Sequence, residues 1–128
     1  MTTLIGSTVA SAVQVAPGTV QGGVPGSNLP TGSQMAMPGG GAGTPTQPPA
    51  AQTFHVVVTG SGSVSATVQP LSSNDGVNWL DYGSAMAVAA GTAPQQTGAN
   101  GAGVWAYYSA YVTAISGTGA AVTCTMSA

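Results

Sequence analysis

The chain has no lysine and no arginine in its 128 residues, and its only acidic residues are Asp75 and Asp81. A surface without cations cannot neutralise phosphates and release their counterions, which excludes DNA and RNA as partners. The same lack removes the P-loop lysine, an arginine anion clamp and a polybasic membrane anchor. One cysteine, Cys124, leaves no intrachain disulfide. Apolar runs are a handful of residues long, far short of the roughly 20 that a membrane-spanning helix needs. Met1-Thr2-Thr3-Leu4-Ile5 has neither the basic nor the apolar region of a secretory signal, so synthesis in the cytoplasm is expected. What remains is a chemistry of hydroxyls, amides, backbone groups and apolar surface.

Glycine (20 residues) and proline (9) are plentiful and unevenly spread. Of the thirty-three residues 17–49, sixteen are Gly or Pro, a composition in which neither helix nor central strand persists. All seven aromatic residues lie at or after Phe54. The chain therefore reads as an extended Gly/Pro-rich N-terminal arm over residues 1–52 and a β module over residues 53–128. Within the arm, Leu4, Ile5, Val9, Val13 and Val15 are the material for one or two short strands.

From Thr53 onward the apolar period is two. Phe54, Val56 and Val58 alternate with polar positions, then Gly60-Ser61-Gly62-Ser63, then Val64, Ala66 and Val68 alternate again. This pattern predicts a hairpin. Ser73-Asn74-Asp75-Gly76 is a second turn, built from residues that tolerate left-handed backbone or form Asx-turns. Val77–Tyr82 and Ala85–Ala89 read as short strands, Ala90–Gly103 as a loop and Val104–Ile115 as the longest strand. Ser116-Gly117-Thr118-Gly119 is then expected to turn the chain into a closing hairpin strand whose inner face carries Ala120, Val122, Cys124 and Met126. The fold class is all-β, a small antiparallel β-sandwich or jelly-roll-like module.

A module of about seventy-five residues rarely holds more than ~3–5 kcal/mol from its core alone. Disulfides are absent and metal ligands too scarce, so homo-oligomerisation, as dimer or trimer, or docking on a partner is expected to supply the rest. An arm of fifty-two residues spans at most roughly 170 Å at about 3.3 Å per residue, long enough to lace over neighbouring subunits. Met35 and Met37, beside Pro38, suit an adaptable contact with a partner groove. Trp105, Tyr107, Tyr108 and Tyr111 are expected in the core or at a subunit interface.

Catalytic readings are weak. Asp75 and Asp81 are six apart, one in a turn and one in a strand, which is no glycosidase pair without a cleft between them. A calcium site on Asp75 lacks carboxylates, and His55 with Cys124 is too small a set for zinc. Serines abound but no nucleophile elbow is present. Asp75 is expected to cap its turn, Asp81 to face solvent, His55 to lie on the outer face of its strand and Cys124 to be buried. A sugar-stacking platform of Trp79 and Trp105 is the carbohydrate-binding alternative. Neither an enzymatic activity nor a cofactor or metal is expected.

Ser73-Asn74-Asp75-Gly76-Val77-Asn78-Trp79, followed by Leu80-Asp81-Tyr82-Gly83-Ser84, resembles a stretch of small tailed-phage virion proteins of the capsid decoration (cement) type. The segment Val112–Thr123 is similar to the end of the same proteins. The resemblance covers residues 53–128 and implies that Asn74, Asp75, Gly76 and Trp79 shape the fold rather than a catalytic site. It implies a virion location on the outer capsid surface and the major capsid protein as partner. A head-fibre, neck or tail component is the nearest alternative. Such proteins often carry basic residues on the long strand, where this chain has Ser109 and Tyr111 in the outward series.

Overall fold

The computed structural model describes residues 2–5, 52–102 and 105–127. Six strands account for most of them: β1 (Thr2–Ile5), β2 (Gln52–Ser73), β3 (Leu80–Asp81), β4 (Met86–Thr92), β5 (Gln95–Gly101) and β6 (Tyr107–Ser127). All pairings are antiparallel and belong to one sheet.

Two very long strands organise it. β2 and β6 pair from Thr53 opposite Ser127 to Ser73 opposite Tyr107. The other side of β2 is shared by β5 along Gln52–Val58, β4 along Ser63–Val68 and β3 at Leu71–Ser72. β1 adds to the far side of β6, with Thr2 opposite Met126 and Ile5 opposite Cys124.

The two glycine-serine stretches therefore do not make hairpins. Gly60–Ser63 lies inside β2, and Ser116–Gly119 lies inside β6. They stand against each other across the ladder and form a corner at which both strands bend. Four residues of β2 advance there, from Ser61 to Ser65, while β6 advances only from Thr118 to Ser116. Extra residues on one strand are how a bulge bends a sheet. Gly60, Gly62, Gly117 and Gly119 all have positive φ. A Cβ on Gly117 would stand 2.7 Å from Val64 Cγ1 and 2.8 Å from the Ser63 carbonyl oxygen, so only glycine lets the strands approach.

The bend folds the sheet over its own apolar face. Phe54, Val56 and Val58 from before the corner, and Val64, Ala66 and Val68 from after it, join one core. Ala120, Val122, Cys124 and Met126 share it with Tyr108, Ala110, Val112, Met86, Val88, Leu4 and Ile5. The fold is all-β, as the alternation implies, and its two layers are the halves of one curled sheet.

Two elements differ from expectation, and a third, the short strand expected around Leu4 and Ile5, is present. Residues 90–103, read as a loop, contain the end of β4 and all of β5; Gln95-Gln96-Thr97-Gly98-Ala99-Asn100-Gly101 lacks the apolar alternation that marks a strand, yet it pairs with β2 residue by residue. The strand expected over Val77–Tyr82 shrinks to Leu80–Asp81, because Asp75 takes the Val77 and Asn78 N–H groups. Thr2–Ile5 is a strand of the sheet itself, with Leu4 and Ile5 fully buried. Residues 6–51 lie outside the described residues; the residues that flank them, Ile5 in β1 and Gln52 in β2, both belong to the sheet. A 46-residue connection closed at both ends reaches outward by at most roughly 75 Å, at about 3.3 Å per residue out and back.

Candidate functional site

Two features offer recognition chemistry: the turn after β2, and a groove between β4 and β5.

The turn is braced by one carboxylate. Asp75 Oδ1 accepts from the Asn78 N–H (2.8 Å), the Val77 N–H (2.9 Å) and the Ser73 hydroxyl (2.9 Å). Oδ2 accepts from the Asn78 side-chain amide at 2.8 Å. Ser73 Oγ in turn accepts the Gly76 N–H at 3.0 Å, and Gly76 has φ +72°. Asn74 reaches across to β6, where its Oδ1 accepts the Ala106 N–H at 3.2 Å. The Asn78 N–H, then the Asn78 amide, the Val77 N–H and the Ser73 hydroxyl hold the Asp75 carboxyl far below the usual carboxylate range. Both oxygens of Asp75 are committed to the loop.

The braced loop delivers Trp79 onto the outer face of the β2–β6 ribbon. Trp79 is 5% exposed and packs with Leu71 and Tyr111, with Tyr107 beside them. This second cluster lies on the opposite side of the sheet from the main core, so residues 69–73 of β2 are buried on both faces. Burial, then the Asp81 charge, pushes the Tyr111 hydroxyl above its ordinary pKa. Ser109 is also covered, so the outward series of β6 is no open contact surface at this end. The same loop holds two apolar side chains out in solvent: Val77 is 40% exposed and Leu80 49%. They are the only large hydrophobics exposed to that degree among the described residues.

The expected interface residues divide. Tyr108 is fully buried in an aromatic triad, 5.4 Å from Tyr82 and 6.5 Å from Phe54 between ring centroids. Its hydroxyl accepts the Trp105 N–H at 3.0 Å. Tyr108 and Tyr111 are thus interior residues of this chain and not contact surface, because the curl and the Trp79 loop cover both faces of β6 here. Trp105 and Tyr107 remain half-buried. Met35 and Met37 lie outside the described residues. Burial of Trp79 also removes the Trp79–Trp105 sugar platform. Sequence reasoning missed Val77 and Leu80; the signal was an apolar pair flanking a turn whose tryptophan is turned inward.

The other singled-out groups have simple surroundings. His55 is exposed on the outer face of β2, its Nε2 2.8 Å from Gln96 Oε1 on β5. Asp81 is exposed. Cys124 is buried, and burial pushes its thiol up to about 12. No cluster of three or more His, Cys, Asp or Glu occurs among the described residues.

The groove, of about 480 Å³, runs between the chain at Gly83–Ala87 and the β5 stretch Thr97–Gly101. Phe54, Pro70, Tyr82 and Met86 supply its apolar surface. The Tyr82 hydroxyl donates to Gln52 Oε1 at 2.8 Å, which ties the groove's main aromatic to the first residue of β2. Gln69 braces the far rim, its amide donating to the Gly83 carbonyl at 3.1 Å. No charged side chain lines it.

Comparison with protein-family models, curated proteins and solved structures gave no match.

Proposed function

We propose that the protein is a non-enzymatic structural subunit of a tailed-phage virion, a decoration protein that binds and stabilises the outer capsid shell. The observation that carries this reading is the pairing of a rigid turn with an apolar edge. Asp75 freezes the loop, Trp79 nails it to the sheet, and Val77 and Leu80 are left presented to a partner. Fully burying one such side chain is worth roughly 1.5–3 kcal/mol. Each starts partly covered, so a single subunit gains only part of that. Many copies on one shell, or a homo-oligomer engaging several sites, turn weak contacts into firm attachment through effective concentration.

The resemblance to small virion proteins rests on the same stretch, residues 73–79. Their work in this chain is to shape a loop, as that resemblance implies. A nearly uncharged surface adds little electrostatic steering, so attachment depends weakly on salt.

Co-sedimentation of the purified protein with empty shells tests the proposal. Binding is expected to change little between low and high ionic strength. The double variant Val77→Ser/Leu80→Ser is expected to bind at least tenfold more weakly with its β circular dichroism intact. Full binding by that variant, or a steep loss of wild-type binding with salt, defeats the proposal.

A further inference from the structure

Among the described residues, β1, β4 and β5 each pair along one edge only. A free edge is a row of unpaired N–H and C=O groups that another strand can join, and natural sheets blunt it with short strands, bulges, lysine, proline or inward charges. The three edges differ in these guards. β1 is four residues long. The register of β4 against β2 is broken between Val64 and Ala66. β5 has neither guard: its seven residues pair with β2 without a shift, from Gln95 opposite Val58 to Gly101 opposite Gln52. Within Gln95–Gly101 there is also no charged residue and no proline.

This edge strand matches itself. Turned antiparallel about Gly98, a second β5 sets Gln96 opposite Asn100, Thr97 opposite Ala99 and Gln95 opposite Gly101, and each pair occurs twice. Gln96, Gly98 and Asn100 are exposed on one face, while Gln95, Thr97, Ala99 and Gly101 are half-buried on the other. The pairing brings exposed residues against exposed and half-buried against half-buried. A primary amide carries both donor and acceptor, so Gln96 and Asn100 of opposite copies satisfy each other with no charge to repel. On the axis Gly98 meets its own counterpart, and no side chain holds the two backbones apart. We infer that β5 is the contact between two copies of this chain, joined edge to edge in a closed antiparallel pair. The run β1-β6-β2-β5 of one copy then continues into β5-β2-β6-β1 of the other. Seven residues a side make a small contact of the weak, reversible class. The pairing uses neither Val77 nor Leu80 and is independent of whether the protein binds a capsid.

Sedimentation velocity of the full-length protein, from micromolar to millimolar concentration, tests it. A monomer–dimer equilibrium with no larger species is expected. Gln96→Lys/Asn100→Lys sets like charges opposite each other twice, and at low salt is expected to weaken the dimer by roughly tenfold or more. Gln96→Lys/Asn100→Glu sets opposite charges at the same positions and is expected to dimerise at least as well as the wild type. Both positions are exposed, so the β circular dichroism is expected to persist in both variants. Val77→Ser/Leu80→Ser is expected to leave the dimer unchanged, which separates this contact from the loop after β2. A monomer at millimolar concentration, a trimer or a polymer would overturn the inference. Equal dimerisation by the like-charge and opposite-charge variants, or loss of the dimer in Val77→Ser/Leu80→Ser, overturns it as well.

Discussion

The corner at Gly60–Ser63 and Ser116–Gly119 and the turn at Ser73–Gly76 are made of the same small polar residues, yet one bends strands and the other reverses the chain. In the corner the determinant is space. Gly60 and Gly117 admit a carbonyl or a valine methyl where a Cβ would stand. In the turn, the determinant is a side chain. Asp75 gathers two backbone N–H groups, a hydroxyl and an amide, and these bonds prevent Val77 and Asn78 from joining a ladder. Glycine bends a strand where the partner strand bends too. A carboxylate acceptor ends the strand outright.

The sharpest way to break that comparison is to remove what the turn delivers. Trp79→Ala is expected to destabilise by about 3–5 kcal/mol, the usual cost of emptying a buried aromatic site, read from urea unfolding. A loss below about 1 kcal/mol would mean that the second cluster is not a structural anchor. At the corner, Gly117→Val is expected to cost about 2–4 kcal/mol, because it meets Val64 and the Ser63 carbonyl at a positive φ. Gly119→Ala sharpens the point. Its φ is +63° but no atom lies within 4 Å of the added Cβ, so only the backbone preference is lost, about 1 kcal/mol. Equal costs at the two glycines would contradict the close-approach explanation.

The smallest expected effect belongs to Asp75→Asn. The folded-state pKa is depressed, so the stabilisation is present above the ordinary carboxylate value of about 3.9 and fades as pH falls through the lower folded value. The wild type should therefore lose melting temperature between roughly pH 5 and pH 2, and Asp75→Asn should lose less over that interval. Solvent exposure keeps the difference modest. Identical acid slopes would show that the carboxylate does not brace the loop.

The core was legible in the sequence because period two is a local signal. Phe54, Val56 and Val58, then Val64, Ala66 and Val68, then Ala120 through Met126, all face inward. The path between these runs was not legible in the same way. Glycine and serine mark both hairpins and corners, and only the partner strand decides which. One clue existed: the even-numbered parity from Phe54 to Val68 continues unbroken through Gly60 and Gly62, as a single bent strand requires. β5 carried no signal, since it is held by backbone pairing to β2 and by almost no apolar side chain of its own. The Asp75 turn was readable from Ser73-Asn74-Asp75-Gly76, whereas the meeting of Leu71, Trp79 and Tyr111 depends on how a distant strand lies beneath the loop.

The claim that matters most for function is the place of attachment, and labelling intact particles tests it directly. Antibody-conjugated gold against residues 53–128 is expected to scatter over the capsid faces in many copies per particle. Label confined to the neck, the tail or a fibre, or absent from intact particles, would contradict a decoration role.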